Sequence, residues 1–390
     1  MNDQTNTPKA LAGVTILDFS HLLQGPFATQ LLADMGANVI KIERAGAGDM
    51  FRSMTFFAKW VGGSESPNFL AWNRNKRSIA LNLKSKRVHA LIMEMAKRAD
   101  VMVQNFRPGV LAKLGYGYED FKAVNPRIIY CSGSGYGESG PYVERPGQDM
   151  LIQGLTGLIS NTGRGDQAPV PAGAGLADQI GAMNMVYGIL SALYYREKTG
   201  RGQKIAVSLL DSMLAAQMQE ATAHLMRGRE VNWGAMPLSG VFRTQDGALV
   251  LVGAFKTDPV GDIGKALDLP GLGADPRFAT HELRVENKKI LQSILRGQFS
   301  SNTTKYWLAR LEEQDLLCAP VMTLAEMLAD PQIAINGMIL EGEGEVEPLR
   351  VMGSPIHMGD APVSIRLPPP RLGKHTEEIK MALKALKAGG

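Results

Sequence analysis

The chain has 390 residues, a formal charge of +4, 45% hydrophobic residues and 21% charged ones, the profile of a globular protein too long for one ordinary core. So modest a positive excess argues against a dedicated nucleic-acid binder and suits a site for an anionic small molecule. Two cysteines without CxxC spacing and six histidines without an HExxH pair indicate neither a metal site nor a disulfide framework.

Met1 to Lys9 is polar, without the basic start and apolar stretch of a secretory signal, so a cytoplasmic location is expected. Runs at Val14 to Phe19, Asn38 to Ile42, Ser78 to Leu83, Val101 to Asn105 and Arg127 to Cys131 read as strands. Phe27 to Met35 and Val88 to Arg98, between them, carry helical periodicity. This βαβ rhythm predicts an α/β fold, an open parallel sheet with helices on both faces. Gly25-Pro26 before the first helix and Gly36 after it are start and stop signals.

The longest apolar run, Ile180 to Tyr195, is interrupted by Asn184 and falls short of the ~20 residues of a membrane span. It reads as a core helix, apolar on every side, and no membrane association is expected. Past Gln203 to Val207 the character changes. Gly240 to Phe255 reads as a hairpin about Asp246-Gly247, and Asn287 to Phe299 and Lys305 to Gln314 as amphipathic helices. A smaller α+β domain is expected at residues 226–322. The stretch after it is either a tail or a return to the first domain.

Asp178 stands out among the acids because it follows a loop of small residues, Ala172 to Ala177, and opens the apolar run. A carboxylate at a helix start can simply cap it, an effect of roughly 0.3 to 1 kcal/mol at exposed sites. The other reading is a nucleophile in a dry pocket, since a small-residue loop lets a substrate approach closely. Asp149, after Pro146-Gly147-Gln148, is the second acidic candidate. Gly135 to Gly140 fits GxGxxG, but Pro141 follows and no helix opens within the motif, so it reads as a plain glycine loop. No serine sits in GxSxG spacing. Asn73 to Arg77, with Lys41, Arg44 and Lys113, is either a solvated face or a phosphate seat. Asn105-Phe106-Arg107, at a strand end, offers polar and aromatic surface suited to adenine.

Taken together, Leu11 to Asp18, Gly36 to Arg44, Asn73 to Arg77, Asp100 to Pro108, Gly135 to Pro141 and Thr199 to Gln203 resemble the class III coenzyme A transferases, the CaiB/BaiF type. The resemblance implies a catalytic Asp178 that forms an aspartyl anhydride and then an aspartyl-CoA thioester. It implies a coenzyme A seat on Arg44, Lys76, Asn105, Phe106 and Lys113, with acyl-CoA as substrate and no permanently bound cofactor. It further implies a large domain built from residues 1–225 and 323–390, and two ring-shaped chains interlocked as a homodimer.

Departures separate the relatives. The racemases of this fold carry a histidine where Gln148 stands, and an amide cannot exchange protons near neutral pH. Leu23 takes the place of the formyl-CoA transferases' glutamine, with Gln24 one step later. Leu23, Gln24, Gln148 and Asp149 are therefore the expected substrate-pocket residues. The function expected is transfer of coenzyme A from an acyl-CoA, succinyl-CoA or another dicarboxylyl-CoA, to a carboxylic acid. The alternatives are an acyl-CoA racemase and a silent acyl-CoA binder.

Overall fold

The computed structural model describes residues 9–54, 66–162, 168–229, 231–233, 236–253, 255–345 and 347–388. It forms two compact units, one of Met1–Met218 with Ala334–Gly390 and one of Gln219–Ile333.

The first unit is organised by a six-stranded sheet: β1 (Thr15–Asp18), β2 (Asn38–Arg44), β3 (Lys76–Leu81), β4 (Val101–Gln104), β5 (Ile129–Ser134) and β6 (Lys204–Ser208). All pairings are parallel and the order is β3-β2-β1-β4-β5-β6. β4 and β5 are buried at every residue, which is why Val101 to Val103 and Ile129 to Cys131 read as continuous apolar runs rather than alternating ones. Period-two alternation still sorts the residues between two cores. Leu17, Ile40, Met102 and Tyr130 meet Tyr116, Phe121 and Ile379 on one face, while Ile16, Val39, Val101 and Ile129 meet Ala28, Leu32, Met185 and Ile189 on the other.

The helices of this unit include α1 (Gln24–Asp34), α2 (Lys86–Ala96), α3 (Asp149–Leu155), α4 (Leu176–Thr199) and α5 (Leu209–Ala216). In α4 the structure corrects the expectation of burial on every side. Ala177, Gly181, Ala182, Met185, Ile189 and Ala192 are buried, but Tyr187 is 75% and Tyr194 68% exposed within this single chain. Apolar composition shows what a helix could bury; only packing shows which stripe meets a neighbour.

The stretch after the second unit returns to the first. It contributes a hairpin, β10 (Ile339–Gly342) against β11 (Leu349–Met352), and it covers the outer edge of β3. There Ser78 N donates to His375 Nδ1 at 3.1 Å and Ala80 N to Thr376 Oγ1 at 3.1 Å, so an edge strand is closed to further pairing.

In the second unit β7 (Ser239–Arg243) and β8 (Ala248–Val252) form the hairpin, closed by Thr244 N on Gly247 O at 3.0 Å. β9 (Leu317–Pro320), with no strand signal of its own, joins β8 antiparallel. Helices at Lys288–Phe299 and Thr304–Glu313 set Leu291, Leu295, Trp307 and Leu311 against Leu249 and Leu251. Among the described residues no helix is long and apolar enough to cross a membrane.

Candidate functional site

The strand order reverses direction between β1 and β4, and in open α/β sheets that switch point leaves a crevice at the carboxyl ends of the strands. A cleft of about 320 Å³ lies there, lined by His21, Leu22 and Gln24 after β1, Asn105 to Pro108 after β4, Ser134 to Gly137 after β5, Arg145 to Gln148 before α3, and Asp178 of α4.

The wall after β1 is held on every side. Asp18, fully buried, accepts from Ser20 N at 2.9 Å and from Ser20 Oγ, and takes Thr29 Oγ1 at 2.6 Å. Asn105 brackets His21, accepting its N–H at 2.9 Å and donating to its carbonyl at 2.8 Å. The imidazole of His21 meets Phe106 edge-on at 4.8 Å. Burial, ahead of the opposing pull of Asp49, lowers the His21 pKa, so the ring that faces the cleft is neutral at pH 7. Leu22 has φ 64°, a left-handed conformation that costs a non-glycine residue on the order of 1 kcal/mol.

The third wall depends on two glycines. A Cβ on Gly135 would stand 2.6 Å from the Cα of Gly147, and one on Gly147 would stand 2.5 Å from the Cα of Gly135. The loop after β5 and the loop before α3 therefore touch backbone to backbone, a contact no side chain allows. The GxGxxG match thus marks a packing device. It also places Gln148 at the N-cap of α3, where its Oε1 accepts from Met150 N at 2.9 Å.

Asp178 is not a cap. Gly175 holds the N-cap position of α4, and Asp178 lies inside the first turn. Its backbone N–H is instead taken by the buried Asp149, whose Oδ1 accepts it at 3.1 Å while Oδ2 accepts from Gln153 Nε2 at 2.6 Å. Burial first, and the Asp149 charge second, push the Asp178 carboxyl up to about 7. The result is a half-buried carboxylate on the cleft wall, poised between its two protonation states near neutral pH.

Of the residues singled out from sequence, Gln24, Asn105, Phe106, Gln148 and Asp178 line one cleft, with Asp149 directly behind Asp178. Leu23 lies outside the lining and packs near Gly175. Arg44 and Lys113 are exposed and also outside it. Lys76, expected on the phosphate seat, is fully buried: its ammonium donates to Asp18 at 3.1 Å, Pro26 O at 2.8 Å and Asn73 Oδ1 at 3.0 Å, leaving no donor for a ligand. Arg145 was missed. Its guanidinium lies 4.1 Å over the Tyr142 ring at the cleft's edge, and its only sequence signal is its place just before Pro146-Gly147. Gln24 sits 3% exposed between Gly133 and Gly181, where side chains on those positions would come within 2.5 Å and 2.8 Å of its amide. Among the described residues its Nε2 has no hydrogen-bond partner.

Fold and cleft together define a doubly wound α/β protein with a cleft at its switch point. A sequence model of CoA-transferase family III matches residues 11–376. The succinyl-CoA:glutarate CoA-transferase of Mus musculus is 38% identical over 377 residues, covering 95% of this chain and 86% of that protein. The succinate–glutarate CoA-transferase of Agrobacterium fabrum is 33% identical over 402 residues, covering 99% of each. A solved structure of a CAIB/BAIF family protein from Brucella suis aligns with TM-score 0.85 at 33% identity, over 96% of this chain and all of that one. The chain belongs to CoA-transferase family III, a class of enzymes that act on CoA thioesters.

Proposed function

We propose that this enzyme transfers coenzyme A from a dicarboxylyl-CoA, succinyl-CoA being the donor, to a dicarboxylic acceptor of glutarate's size, with Asp178 as the nucleophile. The observation that carries the reading is the half-buried Asp178, which is not the N-cap of α4, on the wall of the switch-point cleft. The relatives named for succinyl and glutaryl substrates support the substrate class.

The ionised Asp178 attacks the thioester carbonyl; the C–S bond breaks, and a mixed anhydride and CoA thiolate form. The thiolate attacks the aspartyl carbonyl, releasing the donor carboxylate and leaving an aspartyl-CoA thioester. The acceptor carboxylate attacks that thioester, and the freed thiolate then takes the acceptor acyl group, which restores Asp178. An anhydride within reach of water would hydrolyse, so the burial that raises the Asp178 pKa also protects the intermediate. Arg107 and Arg145 are the cations on the cleft wall suited to the phosphates, and Phe106 offers a face to adenine. The unpaired Gln24 N–H suits a substrate oxygen. Racemisation is disfavoured, because Gln148 is an amide and already caps α3.

Self-association into a dimer belongs to the same proposal. It is supported by the exposed apolar residues Met150, Leu151 and Leu155 of α3 and Met183, Tyr187 and Tyr194 of α4. Light scattering at micromolar concentration should return twice the chain mass.

Hydroxylamine trapping during turnover with succinyl-CoA and glutarate should label Asp178. Asp178→Ala should lower exchange by roughly a thousandfold or more while CoA still binds. Exchange within tenfold of the parent would remove Asp178 from the mechanism.

A further inference from the structure

Behind the cleft lies a buried ion pair that touches no ligand surface. Lys41 Nζ and Asp49 Oδ2 stand 2.9 Å apart with both side chains 0% exposed. Replacing such a pair by apolar residues is often neutral or stabilising, so stability alone gives it little reason to exist.

Its contacts supply the reason. Lys41 Nζ donates to the carbonyl of Ser20 at 2.9 Å, and Asp49 Oδ1 accepts the N–H of Leu22 at 3.0 Å. The two ends of one ion pair therefore grip the two ends of the turn Ser20-His21-Leu22, whose last residue is the one in the left-handed region at φ 64°. Asp49 is in turn fixed by its own N–H on Glu43 Oε2 at 3.0 Å, and Glu43 by Arg52 at 2.7 Å and Ser78 Oγ at 2.6 Å. Carboxylate-to-backbone bonds in a dry interior are strong enough to hold a conformation the chain would otherwise leave. His21 and Leu22 both line the cleft.

We propose that Lys41 and Asp49 are positioning residues that clamp the left-handed turn at Leu22 and so set the wall against which the CoA thioester binds. The proposal rests on the reading of this cleft as the thioester site.

The test replaces the pair by apolar residues, Lys41→Met with Asp49→Leu, in the full-length protein. Calorimetry with succinyl-CoA should show affinity weakened by roughly fivefold to tenfold. When Leu22→Gly is already present, the same double replacement should cost less than about twofold, because glycine holds a positive φ without a clamp. A merely structural pair would weaken binding equally in both backgrounds; equal losses, or no loss, overturn the proposal. Should the double replacement fail to fold, Asp49→Asn removes the charge of the pair while nearly keeping its shape; it should weaken binding at least twofold, by less when Leu22→Gly is present, and an equal loss in both backgrounds, or no loss, overturns the clamp. Failure of the parent protein to bind succinyl-CoA would instead sink the functional reading. The clamp would then be judged by hydrogen exchange at the Leu22 amide, which should speed up in the double variant and overturns the proposal if it does not.

Discussion

Asp18 and Asp178 are the same residue at the same end of one sheet, and the fold treats them in opposite ways. For Asp18 burial works to raise the pKa, but Lys76 and Lys41, with the hydroxyls of Ser20 and Thr29, outweigh it and hold the carboxylate ionised below its ordinary value. For Asp178 burial acts in the same direction, no cation among the described residues offsets it, and Asp149 adds a like charge. The difference teaches that depth of burial does not mark a reactive acid here. What separates the structural acid from the candidate nucleophile is whether the fold supplied a counter-charge.

The comparison breaks most visibly at Asp18. Asp18→Ala leaves Lys76 without its carboxylate and removes one of the charges that support Lys41, and it should cost roughly 3–5 kcal/mol of stability. Urea denaturation followed by circular dichroism measures this, and a loss under 1 kcal/mol would contradict the picture of a structural acid.

A smaller effect is expected at Asp149. The nucleophile must be ionised, so the acylation rate, read by hydroxylamine trapping, should climb with pH around a midpoint near 7. Asp149→Asn removes the like charge and should move that midpoint down by about one unit. An unmoved midpoint would leave burial as the whole cause.

The smallest effect concerns stability. A raised carboxyl pKa means the folded state holds its proton longer than the unfolded chain does, so ionisation of Asp178 opposes folding. The cost is absent below the unfolded value of 3.8, grows as pH rises, and is fully present above about 7. For Asp18, Glu43 and Asp49 the sign is reversed: their lowered values stabilise above the ordinary carboxylate range, and that contribution is lost as pH falls through and below it. Asp178→Asn should therefore raise the thermal midpoint at pH 8 by about 2 °C and leave it unchanged at pH 4. A gain at pH 4 as large as that at pH 8 would show that the side chain's shape, and not its charge, matters.

Much of the fold was legible because its signals are local. The apolar runs of β1, β2 and β4, the Gly25-Pro26 start of α1 and the Asp246-Gly247 turn each act within a few residues, and each element lies within a few positions of its expected place. β9 was not legible, since Leu317 to Pro320 is a strand only by virtue of β8 beside it. Lys76 misled for a related reason. A basic run looks solvated or ligand-binding until the tertiary structure sets Asp18 against it.

The amino-acid order by itself determined the parallel α/β sheet, the nomination of Asp178 and Asp149, and the resemblance to the class III transferases. These rest on periodicity and on motifs contiguous along the chain. Only the tertiary structure decided that Asp149 would grip the Asp178 amide, that Gly135 would need Gly147, and that Lys41 and Asp49 would close on one turn. The physical reason is distance. Charges and close backbone approaches act over a few ångströms of space, and the residues they join are separated by 8 to 29 positions of chain, across which propensity carries no information.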